Sequence, residues 1–135
     1  MALITDTGIV FAAYDRSDAW HSRAIRLLRA EAGGLIVPAA VVPEVDHLVF
    51  ARLGALARRR FLTDITQGVY YVAELSAKGY TRAVELEGRF ADLELDFADL
   101  AVVATAEEKG VRRVATTDRR DFEPLAKALG LTLVP

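Results

Sequence analysis

The chain has 135 residues, which suits one domain, and 53% of them are hydrophobic, which is ample for a buried core. It contains no cysteine, so disulfides and thiolate metal sites are excluded. Seventeen Lys and Arg residues against nineteen Asp and Glu residues give a formal charge of -2, which provides no overall attraction for nucleic acid. We therefore expect a single domain over residues 1–135, in which any contact with a polyanion is local.

The amino-terminal sequence MALITDTG lacks the basic start and the long apolar centre of a signal peptide. No later apolar run is long enough to cross a bilayer. These features predict a cytoplasmic protein that makes no use of a membrane.

Short β-type runs alternate with helical patterns along the whole chain. In the first half they are the strand ALIT, the helices TGIVFAAY and DAWHSRAIRLLRAEA, the strand GGLIVP, and the helices AAVVPEVDHLVFARL and GALARRRFLTDI. In the second half they are the strand VYYV, the helices SAKGYTRAVELEGRFADL and DFADLAVVATAEEKG, the strand RRVAT, the helix DRRDFEPLAKALG and the strand LTLV. The alternation predicts an α/β fold with three layers, in which helices cover both faces of a central, mainly parallel sheet.

Acidic residues recur where this fold would place a ligand. Open parallel sheets bind ligands beyond the carboxyl ends of their strands. Asp6 directly follows ALIT, and Asp118 follows RRVAT and one further threonine. Glu44 lies early in the helix after LIVP, and Asp99 lies in the first turn of the helix that leads to RRVAT. We expect these four side chains to reach the same edge of the sheet.

Each acid also has a purely structural explanation, because Asp after a strand often caps a helix and acids in a first turn favour the helix dipole. Asp96 and Asp99 in LELDFADLAVVA resemble a capping box, with Asp96 as the N-cap. Helix capping is a sufficient explanation for Asp96, but it explains Asp99 only in part. Asp99 begins a very apolar helix, and a buried carboxylate must be paired or bound to a cation. A ligand role is therefore assigned to Asp99.

Carboxylates gathered at one edge repel each other and raise each other's pKa values unless cations neutralise them. Oxygen ligands without sulfur or nitrogen favour Mg²⁺ or Mn²⁺. Such ions polarise a phosphodiester, orient an attacking water and stabilise the leaving oxygen. The acidic pattern therefore predicts a nuclease.

Four stretches together resemble the successive motifs of PIN domains, and most closely those of VapC toxins from bacterial toxin-antitoxin modules. They are LITDTGIVFAAY, VVPEVDHLV, DLELDFADLAVVATAEEKG and RRVATTDRRDF, and the resemblance runs from Ala2 to about Phe122. It implies an acidic metal site formed by Asp6, Glu44, Asp99 and Asp118. The supporting positions beside that site are Thr7, Thr116, Thr117 and Asp96, of which Asp96 lies where the family motif requires no acid.

The resemblance further implies a magnesium-dependent endoribonuclease that acts as the toxin of a type II module. It implies a homodimer that is inhibited by a VapB-like antitoxin, whose tail covers the site. Arg119 and Arg120 flank Asp118 and are the candidate RNA contacts, although basic residues also commonly serve to solvate a surface.

Three other functions are alternatives to a nuclease. An aspartyl-phosphate phosphatase needs a second Asp two residues after the first, where this chain has Gly8. A receiver domain needs an acidic pair after the first strand, and TDTG has one acid. A non-catalytic nucleic-acid- or protein-binding domain of PIN-like fold stays open, because fold alone does not determine function.

Overall fold

A computed structural model describes residues 1–135. The strands are β1 (Leu3–Thr5), β2 (Leu35–Pro38), β3 (Tyr71–Ala73), β4 (Arg113–Ala115) and β5 (Thr132–Val134). The helices are α1 (Thr7–Tyr14), α2 (His21–Ala30), α3 (Val41–Leu53), α4 (Ala55–Thr66), α5 (Ala77–Arg89), α6 (Phe97–Lys109) and α7 (Arg119–Leu129). Every predicted strand and helix is present. The fifth helix ends earlier than predicted, at Arg89, and a short 3-10 turn follows over Ala91–Leu93.

The five strands form one sheet in the order β3-β2-β1-β4-β5. All four strand pairings are parallel, so the sheet is more uniform than the predicted mainly parallel one. The chain builds outward from β1 to β2 and β3, then returns to the other side of β1 with β4 and β5. The crevice between β1 and β4 is therefore the topological switch point, where ligands bind in folds of this kind.

Helices cover both faces of this sheet, as the alternation predicted. Because crossovers between parallel strands are almost always right-handed, the strand order assigns α1 to α4 to one face and α5 to α7 to the other. The packing agrees, because α1 contacts α2 and α3, α3 contacts α4, and α5 contacts α6. The fold is a three-layer α/β/α sandwich.

The helix α6 shows how the sequence positions the site. Its residues from Leu100 to Ala106 are all buried, as its apolar sequence predicted. Asp96 caps its amino end, and Gly110 ends it in the left-handed conformation that glycine adopts readily. The first turn of α6 is thereby fixed beside the carboxyl ends of the strands. None of the helices is both long and apolar enough to cross a membrane.

Candidate active site at the carboxyl edge of the sheet

A cavity of about 290 Å³ opens at the switch point between β1 and β4. Six carboxylates line this acidic cavity: Asp6, Glu44, Asp96, Asp99, Asp118 and Asp121. The four acids predicted to meet at one edge are all among them. They come from four different elements of the chain, so only the folded topology brings them together.

Asp6 is the most enclosed of these acids, with 5% of its surface exposed. It follows the central strand β1 and caps α1, where its Oδ1 accepts the Ile9 N–H at 3.2 Å. The Thr116 hydroxyl donates to its Oδ2, and the same hydroxyl accepts the Asp118 N–H at 2.9 Å. Burial raises the pKa of Asp6 to about 6, and the charge of Asp118 adds to the rise. The hydrogen bonds from Thr116 and Ile9 act in the opposite direction and lower the pKa.

Asp99 lies in the first turn of α6, between the buried Ala98 and Leu100. Burial raises its pKa to about 8, and the carboxylate of Asp96 is the next largest cause. The charges of Asp6 and Asp118 contribute further. Burial and the neighbouring carboxylates therefore favour the protonated form of Asp99, and a cation in the cavity would oppose that preference.

Asp96 has two roles in the structure, whereas the sequence assigned it only one. It caps α6 as predicted, because its Oδ1 accepts the Asp99 N–H at 3.0 Å. It also lines the acidic cavity and raises the pKa of both Asp99 and Glu44. Capping alone is thus an incomplete explanation of this residue.

Asp121 is an acid of the cavity that the sequence reasoning missed. Its N–H donates to Asp118 Oδ1 at 3.2 Å, so Asp118 caps α7 as Asp96 caps α6. Burial raises the pKa of Asp121, Asp118 raises it further, and Arg120 opposes the rise. The sequence did contain a signal for Asp121. Asp118 and Asp121 are three residues apart at the start of α7, as Asp96 and Asp99 are at the start of α6.

Glu44 and the predicted supporting residues lie around the same opening. Glu44 is in the first turn of α3, where burial and the charge of Asp96 raise its pKa. Thr7 and Thr117 line the cavity, while Thr116 is fully buried behind Asp6. A β-carbon at Gly8 would overlap the Thr117 hydroxyl. The absence of a side chain at Gly8 therefore allows α1 to approach the loop that carries Thr117.

The two candidate RNA-contacting arginines point to different places. Arg119 donates to the carbonyl oxygen of Pro135, beyond the end of β5. Arg120 is exposed and lines a neighbouring cavity with Asp92, Asp118 and Asp121. Of the two, Arg120 lies beside the acidic residues.

The chemistry of the cavity fits a hard divalent cation. Its charged groups are all carboxylates, and burial, together with the charges of neighbouring acids, raises the pKa values of Asp6 and Asp99. No three His, Cys, Asp or Glu side chains are arranged to hold one ion together. This arrangement still suits Mg²⁺, which keeps several water ligands and uses one or two carboxylates.

A larger cavity of about 560 Å³ lies at the opposite edge of the sheet, beside Tyr14, Leu35 and Tyr70. It contains none of the four predicted acids, and Tyr14 donates a hydrogen bond to Asp64 at 2.5 Å within it. Size alone therefore does not identify the candidate site in this fold.

Comparison with known proteins identifies the family of this chain. The sequence matches the PIN domain over residues 3–128. The chain belongs to the PIN domain family. This PIN domain is 29% identical over 135 residues to ribonuclease VapC26 of Mycobacterium tuberculosis. The alignment covers 98% of this chain and 100% of the relative.

Solved structures show the same fold. VapC20 of Mycobacterium tuberculosis, a toxin that cleaves the sarcin-ricin loop, superposes on this PIN domain with a TM-score of 0.83, at 23% identity over 97% of each chain. VapBC2 of Rickettsia felis, bound to a DNA fragment from its promoter, gives a TM-score of 0.72 at 18% identity, over 99% of this chain and 98% of the other. These likenesses establish the fold of the whole chain.

Proposed function

We propose that residues 1–135 form one nuclease domain, which acts as the metal-dependent endoribonuclease toxin of a VapBC-like toxin-antitoxin module. One observation carries this proposal: the acids Asp6, Glu44, Asp99 and Asp118 share a cavity at the switch point of a PIN domain. The similarity to a ribonuclease and to a toxin that cleaves RNA supports RNA as the substrate. A cytoplasmic location, where a toxin would meet the RNA of its own cell, is part of this proposal.

The proposed role of each residue follows from the burial of its side chain and from its hydrogen bonds. Asp6, Asp99 and Asp118 are proposed to hold Mg²⁺ or Mn²⁺, one or two of them directly and the rest through its water ligands, with Glu44 as a further acid of the cavity. Such a cation supplies charge that polarises the phosphodiester and lowers the pKa of water. Thr116 fixes the orientation of Asp6 and ties it to the Asp118 backbone. Thr7 and Thr117 offer hydroxyls to water or to substrate oxygens.

RNA must approach this negative cavity, so cationic groups are needed next to it. Arg120 is proposed to contact a phosphate of the substrate, because it is exposed and adjoins Asp118 and Asp121. Arg119 is a weaker candidate, since its guanidinium already donates to Pro135.

Cleavage is expected to require a divalent cation and to leave a 5′-phosphate. Water attacks phosphorus, the bond to the upstream 3′-oxygen breaks, and that oxygen takes up a proton to become a hydroxyl. Excess EDTA should abolish cleavage of a structured RNA, and added Mg²⁺ or Mn²⁺ should restore it. End-group analysis of the fragments checks the chemistry. Cleavage that persists in EDTA, or a 2′,3′-cyclic phosphate at the new end, contradicts the proposed mechanism.

The protein is expected to form a homodimer and to bind a VapB-like antitoxin. Related solved assemblies contain a toxin together with its antitoxin, and this chain exposes apolar side chains such as Leu56 and Leu62 of α4. Light scattering at micromolar concentration should give the mass of a dimer, and purification from the native host should recover a small second protein. A monomer without a partner in both measurements contradicts this expectation.

A further inference from the structure

A second cavity, of about 230 Å³, opens at the same carboxyl edge of the sheet, above β2 and β3. The strand ends Pro38 and Ala73 form its floor, and one stripe of α6, consisting of Phe97, Ala101 and Thr105, forms a wall. We call it the Thr105 cavity. Most of its lining is apolar, and its volume lies below the roughly 300–1,000 Å³ of sites for drug-sized ligands. The Thr105 cavity therefore suits a single small ring system.

Two stacked aromatic rings form the rim of the Thr105 cavity. Tyr80 of α5 and Phe97 of α6 lie 5.7 Å apart between ring centroids, with an angle of 12° between the rings. They are 54% and 46% exposed, respectively. Exposed aromatic faces of this kind bind nucleobases without regard to sequence, because every base has a π-face.

Thr105 lines this cavity, and its Oγ1 is the one buried side-chain polar atom of the structure that has no hydrogen-bond partner. Thr105 is 1% exposed, and a threonine in a helix can usually bond a carbonyl of the preceding turn. An unsatisfied buried hydroxyl lowers stability, so its retention needs an explanation. The hydroxyl can donate to or accept from the edge of a bound base.

The Thr105 cavity adjoins the acidic cavity through α6. Phe97, Ala101 and Thr105 face the first, while Ala98, Asp99 and Val102 face the second. One cavity lies above β2 and β3 and the other above β1 and β4, which separates them by two strand spacings, or roughly 10 Å. One or two nucleotides of an RNA strand can span that separation.

We propose that the Thr105 cavity binds one base of the RNA substrate next to the bond that is cut. The base stacks on the rim formed by Tyr80 and Phe97, and Thr105 Oγ1 hydrogen-bonds its edge. The carboxylate of Glu74, which also lines the cavity, accepts from a base N–H and disfavours a phosphate there. This inference rests on the proposed ribonuclease function and adds a specificity site to it.

The test compares three variants with a matched control. Thr105→Val removes the hydroxyl at nearly constant volume, while Tyr80→Ala and Phe97→Ala each remove one ring of the rim. Val84→Ala is the control, because Val84 is an apolar residue of α5, 71% exposed, that does not line the cavity. Cleavage of a single-stranded RNA pool of random sequence, read by sequencing the new ends, reports the base preference. Binding of base-bearing and abasic oligonucleotides is measured with Mg²⁺ in the Asp99→Asn background.

We expect the wild-type protein to prefer one base at one position near the cut, and Thr105→Val to weaken that preference about tenfold or more while the protein melts no earlier. Tyr80→Ala and Phe97→Ala should raise KM about 5- to 100-fold with little change in kcat, and Val84→Ala should resemble the wild type. The abasic oligonucleotide should bind correspondingly more weakly than its base-bearing counterpart.

Two results overturn the assignment of the Thr105 cavity. One is an unchanged base preference in Thr105→Val together with equal binding of abasic and base-bearing RNA. The other is an equal loss of activity in Tyr80→Ala and Val84→Ala accompanied by conversion of a dimer to a monomer, which would identify the rim as a contact between copies. Base-dependent binding without any cleavage by the wild type contradicts the proposed function and leaves the cavity assignment supported. The two failures are therefore distinguishable.

Discussion

Replacing Asp99 by Asn should reduce RNA cleavage by about a thousandfold or more while the protein stays folded. The change keeps the size of the side chain but removes a negative charge from the acidic cavity, and charge stabilisation by a bound metal accounts for several kcal/mol of a reaction barrier. Without metal the variant should melt no earlier than the wild type, because the pKa of Asp99 is raised to about 8 by burial and by its acidic neighbours. Single-turnover cleavage and thermal melting measure the two effects.

Asp96→Asn is the matched control, since it makes the same chemical change three residues earlier in the chain. Asn also caps helices well, so the bond to the Asp99 N–H is retained and cleavage should stay within about tenfold of the wild type. Asp96→Ala removes that cap and should cost about 0.5–2 kcal/mol of stability, again with cleavage largely intact. A well-folded but inactive Asp96→Asn protein beside an active Asp99→Asn protein would reverse the two assignments.

The metal-free protein should lose stability as the pH rises from about 4 to about 8, and Mg²⁺ should compensate most strongly at the upper end. The pKa values of Asp6 and Asp99 rise from 3.8 to about 6 and about 8 on folding, so the folded protein holds protons that the unfolded chain has released. The contribution of these bound protons to the free energy of unfolding is fully present below about pH 4. It is lost as the pH rises through each folded-state pKa. Melting temperatures in EDTA and in Mg²⁺, measured at pH 5, 6, 7 and 8, check this expectation.

The comparison with Asp99→Asn removes the contribution of titrating groups that do not interact with Asp99, so the difference reports Asp99 and its coupling to the neighbouring acids. In EDTA the wild type should lose roughly 3 °C more than this variant between pH 6 and pH 8. The gain in melting temperature on adding Mg²⁺ should grow with pH in the wild type and should be small in the variant. Identical pH profiles for the two proteins would show that Asp99 titrates as an ordinary surface carboxylate.

The sequence was sufficient for the positions of Asp6 and Asp118, because Asp6 directly follows β1, Asp118 follows β4 after two threonines, and parallel strands end at one edge. It was not sufficient for their relative burial. Asp99 was singled out as the buried acid from the apolar sequence of α6, whereas Asp6 is the more enclosed of the two. The reason is the strand order, which places β1 in the middle of the sheet, and strand order depends on packing over long sequence separations.

Asp121 and the Thr105 cavity show a second limit of sequence reasoning. The sequence analysis assigned no role to Asp121, yet the orientation of α7 turns it toward the acidic cavity and turns Arg119 toward Pro135. Tyr80 and Phe97 belong to different helices, so their stacking could not be read from spacing within either helix. In both cases the deciding information is how one helix is placed relative to another.

The most direct test of the account is a crystal structure of the wild-type protein grown with Mn²⁺ and measured at a wavelength where manganese scatters anomalously. We predict an anomalous peak in the acidic cavity, within coordination distance of Asp6 and of Asp99 or Asp118, and no peak there in Asp99→Asn crystals at the same Mn²⁺ concentration. A protein that cleaves RNA in Mn²⁺ while its crystals show no manganese among these carboxylates would contradict the assignment of this cavity as the catalytic centre.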